Sequence, residues 1–483
     1  MQNTIRFVLD NKIVEVNFAE YPELKPTTTV LNYLRWLPTH KGVKEGCAEG
    51  DCGACTVVMA EPGTDGKLVY TTIDSCLVFL PMIHGKQLIT IENLAVNSNK
   101  DQELHPVQQM MVETNGSQCG YCTPGIVMSL FGLYKNHNNP SREIIDDSLT
   151  GNLCRCTGYQ PIVEAAEKAC SRHGKDHFLD NEKHIADLLQ EISSNQDSLG
   201  IITANQKYFK PFTLKEALRL RAENPQAVII NGSTDVALRQ TKKKELLTEI
   251  LDLSGVKEIK TYCEDDTSFF IGAGTSLEQL RNISGNKLPA LHNILNVFGS
   301  LQIRNIATLG GNVGSASPIG DMLPLLFAHS AKLKLKSLTA ERILGIEDFI
   351  LGYRSTAIRK DELITEVIIP KPTVGSHLLA YKVSKRKDLD ISTVCAAFNL
   401  KLEKGLVAEI AIAYGGMAAT TKHAAGAEEF LAGKEWSRLN VEAAMDILAG
   451  EFAPISDARS EAEFRTAAAR NLLLKFYTET KEN

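Results

Sequence analysis

The sequence predicts a multidomain α+β chain, and three observations carry that reading. At 483 residues it exceeds what one core can bury, and a rough allowance of about 150 residues per domain suggests three or four domains. Alternating apolar and polar runs near the N-terminus give way to proline-opened apolar runs and then to mixed helix–strand units. Eight of the 11 cysteines crowd between Cys47 and Cys156.

The N-terminal run "MQNTIRFVLDNKIVEVNF" alternates around Asp10-Asn11, as a strand, a tight turn and a second strand would. It lacks the unbroken apolar stretch of a signal peptide, and no later run approaches the roughly 18 apolar residues of a membrane span. A cytoplasmic protein that engages no membrane is the expectation. The formal net charge of −6 provides no basic field for nucleic acid, so none is expected as a partner.

In that setting disulfides explain clustered thiols poorly and metal explains them well. "GCAEGDCGACTVV" supplies Cys47, Cys52 and Cys55 in a C-x4-C-x2-C spacing, and Cys76 follows in "TTIDSCLVF". This is the plant-type ferredoxin spacing for a 2Fe–2S cluster. Gly46, Gly50 and Gly53 let the loop curl and bring backbone N–H groups to the sulfurs. A zinc site more often comes as two C-x2-C pairs.

A second set follows in "QCGYCTPG" (Cys119, Cys122) and "GNLCRCTGY" (Cys154, Cys156). Pro106, Pro124 and Pro161 open apolar runs and suit helix starts, so both pairs precede helix N-termini, where orphan N–H groups favour an anionic thiolate centre. Taken alone, this pattern suits zinc as well as iron–sulfur; the neighbouring set favours iron–sulfur. Cys170, Cys263 and Cys395 stand apart and read as buried structural thiols.

The three cysteine motifs together resemble the paired iron–sulfur signatures of the molybdenum hydroxylases, and of the xanthine dehydrogenase family most closely. All eight positions are intact, with Tyr121 where many relatives have Phe. "INGSTDVAL" and "TLGGNVGSASPIGD" resemble that family's two flavin-binding loops, and "YKVSKRKDLDIS" and "AYGGMAATTKHA" resemble segments of its C-terminal flavin subdomain.

The resemblance implies a β-grasp ferredoxin-like domain (1–92), a helical-bundle 2Fe–2S domain (93–172), a linker (173–205), and a two-part α+β FAD-binding domain of the molybdenum hydroxylase flavoprotein type (206–378 and 379–483). The linker stretch reads as polar, with a helical run at "HIADLLQEI". The implied cofactors are two 2Fe–2S clusters and FAD, with molybdopterin on a partner large subunit in an (αβ)2 or higher assembly.

The residues of the flavin loops fit that implication. "QAVIIN" reads as a buried strand, so Ile229, Ile230 and Asn231 lead into a turn at Gly232, Ser233, Thr234, Asp235 and Val236 that can aim N–H groups at a diphosphate. In the second loop, Thr308 and Leu309 precede Gly310 and Gly311. Asn312, Ser315 and Ser317 offer hydrogen bonds, and Asp321 an acceptor for a sugar or ring group. Glycine-rich loops alone are weak signals, and ligand-free surface loops are the plain alternative. "GAGTSL" at Gly272 lacks the third glycine of a dinucleotide fingerprint, so a Rossmann domain is not expected.

By resemblance, Phe298 stacks beside the flavin ring, Gln118 hydrogen-bonds the partner's pterin, and Asp390 and Lys422 lie in flavin-contacting segments. Read from the sequence alone, Phe298 is a core residue and "SKRKD" (384–388) a solvated face. No residue here is expected to be catalytic in the acid–base sense. The implied role is electron transfer from purine oxidation on the partner, through both clusters to FAD and then NAD+. The equivalent part of an aldehyde or N-heterocycle oxidoreductase, and a stand-alone electron-transfer protein, are the competing readings.

Overall fold

The computed structural model describes residues 3–97, 102–171, 174–194 and 197–481. The chain adopts the α+β class read from its sequence and divides into two compact units. The first comprises Met1–Leu220, Gln226–Gly255 and Ser300–Ala307; the second comprises Arg221–Pro225, Val256–Gly299 and Thr308–Asn483. The segment 206–378, expected as one domain, therefore contributes to both.

The first unit opens with strands β1 (Thr4–Leu9) and β2 (Lys12–Asn17), paired antiparallel. Asp10 and Asn11 join them at φ of 53° and 58°, the two left-handed residues that a primed hairpin turn requires. Helix α1 (Val30–Trp36) is capped by Thr29, whose hydroxyl accepts from Asn32 N–H. Strands β3 (Thr56–Pro62), β4 (Leu68–Asp74) and β5 (Gln87–Ile89) complete a sheet of order β2-β1-β5-β3-β4. Only the β1–β5 pairing is parallel, and Leu31 and Leu34 of α1 pack into the core with Phe7 and Val57. A helix packed on a mixed sheet whose first and last strands run parallel is the β-grasp arrangement.

Four helices follow: α2 (Pro106–Glu113), α3 (Thr123–Asn136), α4 (Arg142–Leu149) and α5 (Gln160–Ser171). Pro106 is the first residue of its helix; Pro124 and Pro161 are the second of theirs, also within the turn whose N–H groups lack helical acceptors. Helix α3 is buried from Gly125 through Tyr134 and forms the centre of this bundle.

The stretch 173–205, read as a linker, is not a loose spacer. It holds α6 (His177–Asp180) and α7 (Glu182–Ser193). Ile185, Leu189 and Ile192 recur at helical spacing and sink into the core that includes Phe131 and Ile162. Its polar composition reflects the outer helix face. The linker's His173, Asn195 and Gln196, and Arg172 just before it, lie outside the described residues.

A second sheet of the same unit comprises β6 (Leu199–Ile202), β7 (Lys207–Lys210), β8 (Val228–Ile230) and β9 (Glu249–Asp252), ordered β8-β9-β7-β6. Helix α8 (Leu214–Glu223) precedes β8, and α9 (Ala237–Thr241) follows it.

The second unit contains an antiparallel sheet of β10 (Tyr262–Glu264), β11 (Ser268–Gly272), β12 (Lys332–Lys336), β13 (Glu341–Gly345) and β14 (Leu363–Pro370), ordered β10-β11-β14-β12-β13. A four-stranded antiparallel sheet runs β15 (Ser376–Val383), β16 (Val394–Glu403), β17 (Leu406–Gly415) and β18 (Lys422–His423). Helices Arg438–Glu451 and Ala462–Thr480 share a core with it through Leu448, Leu473, Phe476 and Phe398. Cys170 and Cys395 are buried as expected, but Cys263 is exposed because β10 is an edge strand. Among the described residues, no helix is long and apolar enough to cross a membrane.

Candidate functional site

The first cysteine loop leaves α1 and returns to the sheet at β3. Ala48, Gly50 and Gly53 all take positive φ along it, which coils the chain tightly. Cys47 and Cys52 stand as one hydrogen-bonded thiol pair, and Cys55 and Cys76 as another. Cys47 Sγ accepts from the N–H groups of Glu49 (3.4 Å) and Asp51 (3.3 Å). Its hydrogen bond with Cys52, together with those N–H groups, outweighs burial and holds the Cys47 thiol down to about 5; Cys52 is pushed up correspondingly. A Cβ at Gly46 would stand 2.7 Å from Cys52 Sγ, so the backbone there closes on sulfur.

The second set pairs Cys119 with Cys156 and Cys122 with Cys154. Cys122 is the N-cap of α3, as the reading of the prolines required. Burial works against ionising Cys154, but hydrogen bonds from Thr157, backbone N–H groups and Cys122 outweigh it and hold that thiol below its ordinary range. Thr157 Oγ1 lies 3.2 Å from Cys154 Sγ. Cys119, Cys156 and Gln118 are exposed, and the Tyr121 hydroxyl donates to Glu45 O at 2.5 Å.

Each set thus presents two contacting sulfur pairs, with N–H groups directed at sulfurs of both sets. That donor set suits an anionic iron–sulfur centre. The local causes are glycine-permitted coiling at the first loop and a helix start at the second.

The first glycine loop leaves β8 at Ile229 and Ile230 and turns through Asn231 to Val236 into α9. Ser233 sits at φ 57°, and its hydroxyl donates to Leu77 O, beside Cys76. A Cβ on Gly232 would meet Ile306 O at 1.7 Å, so no side chain fits there. Among the described residues, the N–H groups of Gly232, Ser233 and Thr234 make no backbone hydrogen bond. These open donors suit phosphate oxygens.

The second loop belongs to the other unit. Thr308 caps the short helix Leu309–Gly314, accepting from Gly311 N–H at 3.1 Å. Gly310 lies against Ala273, whose Cβ would stand 2.6 Å from a Cβ at position 310. Asn312 Oδ1 is buried with no hydrogen-bond partner, the kind of orphaned acceptor that a ligand donor satisfies. Ser315 Oγ donates to Asn312 O at 2.8 Å, and Ser317 Oγ accepts from Ile319 N–H at 3.4 Å.

Asp321 is buried, and protein groups already occupy its carboxylate: Lys382 Nζ at 2.9 Å and Ser392 Oγ at 2.5 Å. Lys382 also donates to Val297 O at 3.0 Å and lies 5.9 Å from the ring of the half-buried Phe298. Asp390 is held by Arg386, accepting from its backbone N–H and its Nε, each at 2.8 Å. Lys422 is exposed on β18.

The sequence reading missed Lys382, Ser392 and the Ser233–Leu77 hydrogen bond. The lysine lies inside the quoted "YKVSKRKDLDIS", but only the fold carries it to Asp321.

Comparison with known proteins follows this layout. A family described as "[2Fe-2S] binding domain" matches residues 90–167. "FAD binding domain in molybdopterin dehydrogenase" matches 203–372, and "CO dehydrogenase flavoprotein C-terminal domain" matches 379–480. Xanthine dehydrogenase of Emericella nidulans is 32% identical over 533 aligned residues, covering 98% of this chain and 38% of that protein. Xanthine dehydrogenase/oxidase of Gallus gallus is 31% identical, covering 98% of this chain and 39% of that one. The chain thus spans about two fifths of the length of the curated relatives it matches.

Among solved structures, a chain of a Hydrogenophaga pseudoflava carbon monoxide dehydrogenase aligns at TM-score 0.54 and 25% identity, covering 57% of this chain and 96% of that one. That enzyme form lacks the Mo-pyranopterin moiety of its molybdenum cofactor. Quinoline 2-oxidoreductase of Pseudomonas putida 86, at 23% identity and TM-score 0.53, shares the fold. The matches follow one another along the chain in the order of its cysteine and glycine loops, and the chain belongs to the molybdenum hydroxylase family, with a 2Fe–2S-binding part followed by an FAD-binding part.

Proposed function

We propose that this chain is the electron-transfer subunit of a xanthine dehydrogenase. It works with a molybdopterin-binding large subunit that oxidises hypoxanthine and xanthine to urate, in an (αβ)2 or higher assembly in the cytoplasm. Cys47, Cys52, Cys55 and Cys76 would hold one 2Fe–2S cluster, and Cys119, Cys122, Cys154 and Cys156 the other. FAD-binding residues are assigned to the loop at 229–236 in the first unit and, in the second, to the loop at 308–321 with Phe298, Asp390 and Lys422; Gln118 would face the partner's pterin. Iron–sulfur centres supply one-electron steps, and FAD joins these to the two-electron demand of NAD+.

The chain's own residues bind and tune. Glu49 and Asp51 direct N–H groups at Cys47, which favours the reduced, more negative state of whatever that sulfur ligates. The open N–H groups at 232–234 would receive phosphate oxygens, and Asn312 Oδ1 would accept from a ligand donor. The observation that carries the proposal is the presence of four contacting cysteine pairs, two in each motif set, in a chain that aligns along 98% of its length with a xanthine dehydrogenase.

Replacing Cys55 with Ser tests it. The reduced protein should then show one 2Fe–2S paramagnetic signal in place of two, and xanthine-dependent NAD+ reduction by the assembled complex should collapse. An unchanged spectrum would refute the ligand assignment. Oxidation of an aldehyde or quinoline but not xanthine by the assembled complex would refute the substrate.

A further inference from the structure

The two cysteine loops lie in the same compact unit and meet backbone to backbone. Leu153 N–H donates to Cys52 O at 3.0 Å, and Leu153 is bonded to Cys154. Three glycines clear the contact. A Cβ on Gly53 would stand 2.2 Å from Gly151 O, and one on Gly125 would stand 2.1 Å from Gly53 O. One on Gly151 would stand 2.3 Å from Gln302 Oε1. A side chain at Gly53 or Gly125 would meet the facing backbone and force the loops apart, and one at Gly151 would displace Gln302.

One buried side chain then pins them. Asn152 is 2% exposed. Its Nδ2 donates to Gly53 O (3.1 Å) and Thr56 Oγ1 (3.2 Å). Its Oδ1 accepts from Ser129 Oγ (2.6 Å) and Gln302 Nε2 (2.9 Å), so both amide donors and two acceptor sites are used. Gln302 Nε2 donates to Ser129 Oγ as well, at 2.9 Å. Every polar site of Asn152 used here is paired, while Gln302 Oε1 is buried without a partner, and a buried network of this kind fixes position and direction in a way that apolar packing does not.

We propose that Asn152 is a positioning residue that sets the spacing of the two iron–sulfur centres. This rests on the assignment of the eight cysteines as cluster ligands. One electron leaves the centre at Cys119, Cys122, Cys154 and Cys156, which is oxidised by one, and enters the centre at Cys47, Cys52, Cys55 and Cys76, which is reduced by one. No bond forms or breaks, and no proton moves.

The test uses the full chain with its cofactors. Asn152→Asp keeps the shape but removes both donors and sets an oxygen against Gly53 O. Ser129→Ala deletes a single hydroxyl from the network and decides the matter where the first variant is insoluble. Iron per chain, the spin–spin splitting of the dithionite-reduced signals, and the rate of electron equilibration between the centres after a photoreduction pulse are measured.

The expected result is unchanged iron, a weakened splitting and several-fold slower equilibration, with Ser129→Ala the milder. Splitting and rate equal to the unmodified chain in both variants would overturn the proposal. So would loss of iron from one set in both variants, since Asn152 would then be holding a cluster rather than a spacing. An unmodified chain without two iron–sulfur signals would instead sink the ligand assignment.

Discussion

Gly232→Ala probes the first glycine loop most sharply. The added methyl would stand 1.7 Å from Ile306 O, 2.5 Å from Ile306 C and 3.0 Å from Ala307 N. All three are backbone atoms, so no rotamer change relieves the clash. The turn must move by roughly 1 Å or more, and overpacking of this kind costs about 1–3 kcal/mol. The open N–H groups at 232–234 move with it. If FAD requires the native turn, that strain is subtracted from binding, and the Kd for FAD rises roughly 5- to 150-fold.

The assay is fluorescence titration of flavin-stripped protein with FAD, alongside iron analysis. Iron is the internal control, because the Ser233 hydroxyl is bonded to Leu77 O beside Cys76 and offers a path for the shift to reach a cysteine. A Kd within about twofold of the unmodified protein, with the fold intact, would refute the reasoning.

Asp147→Ala should destabilise the first unit by about 3–5 kcal/mol, because it strips the carboxylate from a buried guanidinium. Arg304 is fully buried and donates to both Asp147 oxygens, at 2.7 and 2.8 Å. Urea unfolding measures this, and a loss under about 1 kcal/mol would show that the pair contributes little. His84 gives a pH dependence. Burial, Lys210 and Arg6 hold its imidazole down to about 3, and its Nδ1 accepts from Arg6 N–H at 3.0 Å.

Between its ordinary 6.5 and about 3, the unfolded chain takes up a proton that the folded chain refuses, so stability falls on acidification through that window. The slope approaches about 1.4 kcal/mol per pH unit. His84→Asn keeps an acceptor without the titration and should flatten the slope; unfolding curves between pH 7 and pH 5 that match the unmodified protein's would count against the assignment.

The sequence by itself determined where the cysteine and glycine loops fall and much of the order of the elements. Cysteine spacing is a local property: the x4 and x2 intervals, the glycines between them and the prolines that open α3 and α5 act within a few residues, so both thiol sets were legible. The hairpin at Asp10-Asn11 and the turn after Ile230 were legible for the same reason.

Tertiary structure alone decided what touches what. The helical run at 184–192 was legible in the polar stretch after Cys170, but the burial of Ile185, Leu189 and Ile192 was not, because one amphipathic face must find a partner before it counts as core. Asn152 meets Gln302 across 150 positions, and Asp321 meets Lys382 across 61. Such long-range pairs leave no periodicity to read, since each is set by how distant elements pack, and hydrogen bonding to a buried group is satisfied by whichever segment the fold delivers.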